Sequence, residues 1–218
     1  IMMRKDPPFN MDYVFTTYIL DIAAKAGVLV VNRPSSLRNF NEKLILNHFP
    51  ELTTNYLVTS DVGRLGLFID KYKDVVVKKL DSMGGEGVHR LFCKDNNNDM
   101  LNSLTSNQRT CIMIMEYIPE IVQGDKRILL LNGKPLSHAL LRIPPEGQLQ
   151  ANISAGGVGK VVPLERKDIE ICNAISPFCI EHGLYIVGID VIGDFVTEIN
   201  ITSPTCLVEI EKSTQQDM

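Results

Sequence analysis

The stretch of residues 184–192 constrains the fold more than any other part of the chain, because it is an almost unbroken apolar run. A run of this length and composition predicts a β-strand that is buried on both faces of a sheet. Asp190 interrupts the run, and an unpaired carboxylate in such a place costs free energy. Asp190 therefore needs a partner.

The next predicted strand, residues 195–201, carries candidate partners for Asp190. Side chains alternate along a strand, so Glu198 and Asn200 share one face and Thr197 lies on the other. A regular two-residue turn between the strands would place Asp190 opposite Thr197. A three-residue loop or a bulge would instead place Asp190 directly opposite Glu198.

With that second geometry, the oxygen atoms of Asp190, Glu198 and Asn200 converge. Two carboxylates and an amide oxygen suit a hard divalent ion such as Mg²⁺, which commonly takes its remaining ligands from water and nucleotide phosphates. The alternative is structural: Glu198 and Asn200 form a solvated strand face, and Asp190 meets a buried Lys or Arg. Short acidic patterns are common, so the spacing alone leaves both interpretations open.

Periodicity and turn residues predict the other elements. The predicted helices cover residues 11–26, 61–72, about 100–104 and 166–182, and Pro177 should kink the last of them. Asn39 or Asn41 is a candidate cap for a short helix through residues 43–45. The predicted strands cover residues 28–31, 56–58, 75–77, 88–92, 111–117, 127–131 and 137–142, with Asn132-Gly133 as a hairpin turn.

Composition excludes some partners. The 22 Lys and Arg residues against 26 Asp and Glu give a net charge of -4, so no basic face is expected for a nucleic acid. No apolar run approaches the roughly 20 residues that span a bilayer, and we expect a soluble, cytoplasmic protein without membrane contact. The five cysteines lack metal-ligand spacing and should be reduced and mostly buried.

A glycine-rich loop, residues 82–87, joins two predicted strands and opens no helix, so it matches neither a Walker A loop nor a dinucleotide fingerprint. Its backbone amides are able to wrap phosphates, although an ordinary glycine-rich hairpin is the more common explanation of such a loop. The long loop of residues 144–160 has the length of a functional lid or of a disordered segment. Residues 211–218 are polar, and we expect them to be disordered.

Taken together, these segments resemble the bacterial glutathione synthetases, a family of ATP-grasp ligases. The likeness rests on stretches that follow the order of the family along the whole chain. They are MRKDPPF (residues 3–9), NEKL (41–44), LD (80–81), MGG (83–85), GDKR (124–127), RIP (142–144), AGG (155–157), VGIDVIGD (187–194) and TEINITSPT (197–205).

The resemblance implies a role for each matching residue. Nucleotide contacts are implied for a phosphate-binding pair of lysines, Lys43 and Lys78, and for a flap with Ser82, Met83, Gly84, Gly85 and Gly87. The implied adenine-binding segment is Glu116, Tyr117 and Ile118, and the implied acidic residue near the ribose or the metal is Asp125. Arg127 and Arg142 resemble the catalytic arginines at the substrate and the acyl phosphate. Asp190, Glu198 and Asn200 match ligands of Mg²⁺ or Mn²⁺, and Asn200, Ser203 and Thr205 match positions near the peptide.

The implied fold is α+β, an ATP-grasp fold of two subdomains that clamp ATP, preceded by the tail of an α/β domain. We place that tail at residues 1–40, the lid subdomain at 41–118 and the catalytic subdomain at 119–218. The implied activity joins γ-glutamylcysteine to glycine through an acyl phosphate, giving glutathione, ADP and phosphate, in a homo-oligomer for which the family suggests a tetramer. Most of the N-terminal domain and a helix after residue 211 are expected to be missing.

Three residues depart from the family pattern. Lys79 stands where a proline is usual, and Gln150 and Val158 stand where arginines are common. For a lid without these arginines, we expect either looser closure over an anionic intermediate or weaker discrimination between substrates. The alternatives to glutathione synthesis are therefore another ATP-grasp carboxylate–amine ligase and a non-catalytic nucleotide-binding fragment or degenerate homologue.

Overall fold

The computed structural model describes residues 1–5, 8–82, 87–145 and 157–214. Six α-helices lie within these residues, together with short 3-10 helices. One of these, Leu44–His48, follows Asn41, whose side-chain oxygen accepts from the amides of Lys43 and Leu44. The α-helices are α1 Met11–Lys25, α2 Pro34–Asn39, α3 Val62–Tyr72, α4 Asn98–Leu104, α5 Arg166–Glu181 and α6 Leu207–Thr214.

The first sheet is a four-stranded antiparallel sheet with the order β1-β4-β2-β3. Its strands are β1 Tyr56–Thr59, β2 Asp74–Lys79, β3 His89–Phe92 and β4 Ile112–Glu116. Helices α3 and α4 cover one face, where Leu65 and Leu101 pack on Val75 and Val77. Because side chains alternate along β2, Lys78 points away from these helices, toward the second sheet.

The second sheet has the order β10-β9-β5-β7-β8, with β6 paired to β5 beside it. All of its pairings are antiparallel. Its strands are β5 Asp125–Leu131, β6 Lys134–Pro135, β7 His138–Ile143, β8 Val158–Pro163, β9 Ile186–Ile192 and β10 Phe195–Asn200.

Each face of the second sheet has its own helix. Helix α5 packs Ile171 and Ile175 in the same core cluster as Ile128 of β5, and burying such side chains contributes about 1.5–3 kcal/mol each. On the opposite face, Ile210 of α6 packs with Leu129 of β5. Asp125, Arg127 and Leu129 lie at every second position of β5, so their side chains share one face of the sheet, the face that α6 covers. Asp125 and Arg127 lie beyond the area with which the helix packs.

The N-terminal segment is tied to the second sheet by polar contacts. The Asn32 amide donates to the carbonyls of Ile186 at 2.8 Å and Ile201 at 2.6 Å, and its oxygen accepts from the Ile186 amide at 2.8 Å. The Ser36 hydroxyl donates to the carbonyl of His182, which caps the end of α5. This docking places residues 41–43 beside β10.

Several sequence expectations about turns, helices and cysteines are confirmed. The Asn132-Gly133 turn has positive φ angles of 50° and 76° and joins β5 to β6. Helix α5 contains Pro177 within its span. Cys172, Cys179 and Cys206 are buried and unpaired, whereas Cys93 and Cys111 are exposed. No helix among the described residues is both long and apolar enough to cross a bilayer.

Two expectations are wrong, and one helix was missed. Residues 28–31 form no strand: Val31 makes a single bridge to Met2, and Leu29 is 70% exposed. Helix α2 was not expected, because a six-residue helix shows too little periodicity to be recognised. Residues 211–214, expected to be disordered, continue helix α6, because Ile210 is buried against the sheet and holds it there.

Candidate functional site

The hairpin of β9 and β10 has the bulge that the metal-site prediction required. Its turn is the short form, Gly193-Asp194, since Phe195 pairs with Ile192. The register then shifts between Val196 and Glu198, and Glu198 pairs directly with Asp190. The bulge therefore brings Asp190 opposite Glu198, despite the two-residue turn.

A row of charged side chains crosses one face of the second sheet. Asp190 of β9 lies opposite Arg127 of β5 as well as beside Glu198, and Asp125 of β5 lies opposite Arg142 of β7. Residues that are directly opposite in a sheet share a face, and residues two apart on one strand do so as well. The pairing register alone thus puts all five charges on the α6 face.

Within this row, Asp190 is held by two arginines. Arg127 contacts Asp190 through Nε and through Nη2, the latter at 2.8 Å, and Arg142 Nη2 lies 3.0 Å from Asp190 Oδ1. Burial by itself would raise the pKa of Asp190, but the two guanidinium groups outweigh it and hold the pKa of this carboxyl below its usual range. Asp190 is therefore an anion at neutral pH.

Asp125 is the second buried carboxylate of the row. Its Oδ2 accepts from Arg142 Nη2 at 2.6 Å, while its Oδ1 has no hydrogen-bond partner among the described residues. Burial raises the pKa of Asp125 to about 6, against the lowering influence of Arg142. An unpaired buried carboxylate oxygen is costly, and a bound cation or hydroxyl group would satisfy it.

Two lysines face the charged row from outside the second sheet. Lys43 Nζ lies 2.9 Å from Glu198 Oε1 and 2.8 Å from the carbonyl oxygen of Ser82. Lys78 Nζ lies 3.4 Å from the carbonyl oxygen of Thr197. Burial lowers the pKa of Lys78 more than the nearby Glu198 raises it. The site thus has a basic side that faces an acidic one, an arrangement that suits a phosphate and its counter-ion.

Features of both interpretations of the acidic residues are present. Asp190 has the buried arginine partners that the structural interpretation required, and the hairpin has the register that the metal interpretation required. Glu198 is no solvated residue, because its side chain is 21% exposed and paired with Lys43. Asn200 donates to Asp190 Oδ2 at 3.3 Å.

The donor atoms fit a hard divalent cation. Among the described residues no group of three or more His, Cys, Asp or Glu side chains is arranged for a metal, so a site here depends on the two carboxylates and the amide of Asn200. All three are oxygen ligands, which Mg²⁺ and Mn²⁺ accept and softer metals do not favour. The unpartnered oxygen of Asp125 adds a further acceptor nearby.

The segment expected to hold adenine lies at the end of β4. The Glu116 carboxylate accepts from the backbone amide of Asn55 at 3.0 Å and from its side chain at 2.8 Å, and the Tyr117 amide donates to the Asp74 carbonyl at 3.1 Å. Arg90 lies 3.4 Å from the centre of the Tyr117 ring. These contacts fix the chain at Glu116 and Tyr117.

The flap is only partly described. Ser82 contributes its carbonyl to Lys43, and Gly87 has a positive φ of 71° close to the Lys79 side chain. Met83, Gly84 and Gly85 lie outside the described residues, as does Gln150. Val158 begins β8 and is 66% exposed.

The loop after β10 carries the residues expected near a peptide substrate. The Ser203 hydroxyl is buried and has no partner among the described residues, whereas Thr205 is exposed beside Cys206. Gly188 lies under this loop: a Cβ atom there would be 2.9 Å from Pro204 and 3.0 Å from Arg127. The missing side chain of Gly188 leaves the space in which Arg127 reaches Asp190.

Sequence reasoning missed two residues of the site. Asn41 donates from its amide to the Leu80 carbonyl at 2.8 Å, and Glu42 accepts from the amides of Ile201 and Thr202 at 2.8 Å and 3.1 Å. The signal was that both residues directly precede Lys43 in the stretch NEKL (residues 41–44). Their partners lie 39 and about 160 positions away along the chain, so only the fold identifies them.

Two family models match the chain. "Prokaryotic glutathione synthetase, ATP-grasp domain" matches residues 42–215, and "Prokaryotic glutathione synthetase, N-terminal domain" matches residues 1–38. The curated glutathione synthetase of Buchnera aphidicola is 47% identical over 97% of this chain and 66% of its own length. That of Bordetella parapertussis is 47% identical over 98% of this chain and 68% of its own length. The chain spans about two thirds of the length of these relatives.

Among solved structures, the chain is similar to the ATP-grasp ligase PsnB, determined with a phosphomimetic variant of its minimal precursor, Mg and ADP. The TM-score is 0.66 at 18% identity, and the match covers 94% of this chain and 63% of PsnB. An identity this low shows a shared fold: two sheets and their helices in the ATP-grasp arrangement.

Proposed function

The chain belongs to the prokaryotic glutathione synthetase family, and from this we propose that its full-length protein joins γ-glutamylcysteine to glycine at the expense of ATP. The reaction class is ATP-dependent carboxylate–amine ligation. The two substrates rest on the names of the relatives, and the site residues rest on the geometry of the charged row.

One observation carries the assignment of the site: Asp190 lies opposite Glu198 on one side and opposite Arg127 on the other. This register puts acidic oxygens next to guanidinium groups, with Lys43 at the end of the row. The arrangement supports a metal that is bound beside a phosphate. We propose that Asp190, Glu198 and Asn200 hold the metal, Mg²⁺ or Mn²⁺. A divalent cation bound there would neutralise charge on the nucleotide phosphates.

The remaining roles follow from the chemistry of each side chain. Lys43 and Lys78 would grip phosphate oxygens of ATP. Arg127 and Arg142 would bind the carboxylate to be activated and offset negative charge on the transferring phosphoryl group. The γ-phosphoryl group moves to the substrate carboxylate to form an acyl phosphate and ADP; the amine of glycine then attacks the carbonyl carbon, and phosphate leaves. No side-chain nucleophile is needed.

Contacts at the edges of the site support three further assignments. The backbone of Glu116–Ile118, which is fixed at Glu116 and Tyr117, would hold adenine, with Asp125 near the ribose or the metal. The unpartnered hydroxyl of Ser203 would accept a hydrogen bond from the peptide or donate one to it. The flap from Ser82 to Gly87 would cover the phosphates and exclude water from the acyl phosphate.

The division of the chain at about residues 40 and 118, the cytoplasmic location and a homotetrameric assembly stay predictions. Sedimentation velocity on the full-length protein tests the assembly: a species of four chains is expected, and a monomer at micromolar concentration would contradict it. Hydrogen exchange tests the division, since residues 41–118 and 119–218 should each open as a cooperative unit of their own.

Incubation of the full-length protein with γ-glutamylcysteine, glycine, ATP and Mg²⁺ tests the function. Glutathione and ADP should appear in equal amounts, and hydroxylamine in place of glycine should trap the acyl phosphate as a hydroxamate. Arg142→Lys should lower the rate by about 100–1,000-fold, because a lysine cannot reproduce the planar guanidinium that contacts both Asp125 and Asp190. The matched control is Arg166→Lys at an exposed position of α5, which should leave the rate unchanged.

Two results would contradict the proposal. Absence of ADP and of any ligated product from folded protein, with these substrates and with other carboxylates and amines, would rule out ligation. Formation of ADP with other carboxylates and amines but not with these two would keep the ligase class and reject the substrates.

A further inference from the structure

Glu42 makes three hydrogen bonds to strand β10 and the residues just after it. Its backbone carbonyl accepts from the Ile199 amide at 3.0 Å. Its Oε1 accepts from the amides of Ile201 at 2.8 Å and Thr202 at 3.1 Å. A single residue thus satisfies three backbone donors in succession.

These donors lie on the free edge of the second sheet. β10 is the last strand in the order and pairs with β9 on its other side. The amides of Ile199 and Ile201 therefore point outward, where an edge strand needs a partner or water. Glu42 takes the place of a neighbouring strand there, using its side chain for the second and third bonds.

The anchored residues alternate with the candidate metal ligands. Ile199 and Ile201 are the residues held by Glu42, and Glu198 and Asn200 lie between and beside them. Fixing every second residue of a strand fixes the direction of the side chains in between, because these alternate strictly. The bulge before Glu198 makes this end of β10 irregular, so the register depends on contacts such as these.

The neighbours of Glu42 connect the same place to the flap. Asn41 donates to the Leu80 carbonyl at 2.8 Å, and Lys43 donates to the Ser82 carbonyl at 2.8 Å while it pairs with Glu198. Residues 41–43 therefore contact both the strand of the acidic residues and the start of the flap. They connect strand β10 to the segment that begins the flap.

The charge of Glu42 is not what the strand requires at this position. Glu42 is close to Glu198, and both burial and this like charge disfavour its ionised form. A glutamine would offer the same acceptor oxygen to Ile201 and Thr202 without that cost. The hydrogen-bonding geometry, rather than the charge, is thus the part of Glu42 that the strand uses.

We propose that Glu42 is a positioning residue for the nucleotide and metal site: it fixes β10 so that Glu198 and Asn200 stay opposite Asp190 and Gly188, next to Lys43. This inference rests on the proposed function, because it assigns Glu42 to the same site. Glu42 touches no reacting atom in it, and its effect passes through Glu198 and Asn200.

The experiment compares Glu42→Ala, Glu42→Gln and the unchanged full-length protein, with Glu51→Ala as the matched control. Glu51 is an exposed carboxylate of the same N-terminal region. Two quantities are measured at a temperature well below the melting point of each variant. They are the hydrogen exchange rates of the amides of Ile201 and Thr202 without ligand, and the dissociation constant of ADP with Mg²⁺ by titration calorimetry.

In Glu42→Ala, exchange of the two amides should accelerate at least about ten-fold, and the dissociation constant of the ADP–Mg²⁺ pair should rise by about 10–100-fold, as for other residues that orient metal ligands. Glu42→Gln should stay within about three-fold of the unchanged protein in both measurements. Glu51→Ala should change neither. If Glu42→Ala does not fold, Glu42→Asp carries the test, since its shorter side chain cannot reach both amides.

Three outcomes would overturn the inference: unchanged exchange in Glu42→Ala, faster exchange with unchanged ADP–Mg²⁺ binding, or a loss of binding in Glu42→Gln as large as that in Glu42→Ala. The second would assign Glu42 a purely structural role. Failure of the unchanged protein to bind ADP with Mg²⁺ would refute the nucleotide site itself and the role of Glu42 with it. Binding without glutathione synthesis would refute only the proposed substrates.

Discussion

Arg127 and Asp190 lie directly opposite each other on β5 and β9, and their side chains form a two-point ion pair at the centre of the charged row. The pair is buried, so each charge depends on the other for its stability. The same guanidinium is the proposed contact for a phosphoryl group, and the same carboxylate is a proposed metal ligand. Binding of a nucleotide with its cation would therefore replace the pair of Arg127 with Asp190 by contacts of Arg127 with a phosphoryl group and of Asp190 with the cation.

Replacement of Asp190 by asparagine should harm stability and activity together. The change leaves the positive charges of Arg127 and Arg142 without their shared anion, and breaking a buried pair in this way costs about 3–5 kcal/mol. Ligation should fall by more than about 100-fold at saturating Mg²⁺. Urea unfolding and ADP release are the measurements.

Asp194→Asn is the matched control, because Asp194 lies in the same hairpin and is exposed. It should change stability by less than about 0.5 kcal/mol. If Asp190→Asn retained full activity, Asp190 could be neither a metal ligand nor the organiser of the arginines.

Gly188→Ala should disturb the site without removing any charged group. The added Cβ would lie 2.9 Å from Pro204 and 3.0 Å from Arg127, so the loop or the arginine must shift. Overpacking of this kind costs about 1–3 kcal/mol, and ligation should decrease at least ten-fold because Arg127 loses its position. Melting temperature and steady-state rates measure the two effects.

The contrasting glycine is Gly66 in helix α3, where an added Cβ meets nothing within 4 Å. Gly66→Ala should stabilise the protein by about 0.5–1 kcal/mol, since alanine favours the helix, and should leave the rate unchanged. Equal behaviour of the two variants would show that close packing at Gly188 is unimportant.

Arg90→Lys should weaken ATP binding with little effect on the chemical step. Arg90 makes two hydrogen bonds to Asp74, at 2.8 Å and 2.6 Å, and stacks on Tyr117 in the proposed adenine segment. A lysine cannot reproduce the fork or the planar stacking. The KM for ATP should rise several-fold while kcat stays within about two-fold.

For Arg90 the control is Arg64→Lys on the exposed side of α3. It should leave both constants unchanged. A fall in kcat at unchanged KM would place Arg90 in a different role, because loss of a base contact should appear in binding.

Tyr13 should make the stability of the protein depend on pH in the alkaline range. Burial raises the pKa of Tyr13 to about 12 from 10.0, even though its hydrogen bond to Thr202 acts in the opposite direction. A raised pKa favours the neutral form in the folded state, so the stability it provides is complete below pH 10 and is lost as the pH rises through about 12. The loss amounts to about 2–3 kcal/mol.

Urea unfolding of the unchanged protein and of Tyr13→Phe between pH 8 and pH 12 measures this dependence. Tyr13→Phe should cost about 1 kcal/mol at pH 8, through its hydrogen bond to Thr202, and the difference should shrink and change sign at higher pH. A constant difference across the range would contradict the raised pKa.

Local sequence predicted much of the second sheet. The apolar run containing Asp190, the alternation after Gly193 and the Asn132-Gly133 turn each depend on neighbouring residues, and the structure confirms all three. The run at residues 28–31 had the same apolar character and formed no strand. An apolar run indicates burial or pairing only if a partner strand is at hand, and the sequence does not contain that information.

The buried face of helix α1 also depends on distant partners that the local sequence does not reveal. Tyr18 and Ile22 repeat at helical spacing, but they are 48% and 69% exposed, and Tyr13 and Thr17 are buried instead. Tyr13 turns inward because its hydroxyl meets Thr202, a residue 189 positions away. Periodicity predicted the helix and could not predict which side of it would find a partner.

The sequence by itself determined the residues of the charged row: acidic, amide and guanidinium side chains sit at fixed positions on predicted strands. Only the tertiary structure decided that Glu198 faces Asp190, that Arg127 neutralises it, and that Glu42 holds the strand. These contacts depend on a bulge in β10, on the pairing register of β5 with β9, and on residues about 160 positions apart. Each is a balance of packing and hydrogen bonds across the whole fold, which no local pattern encodes.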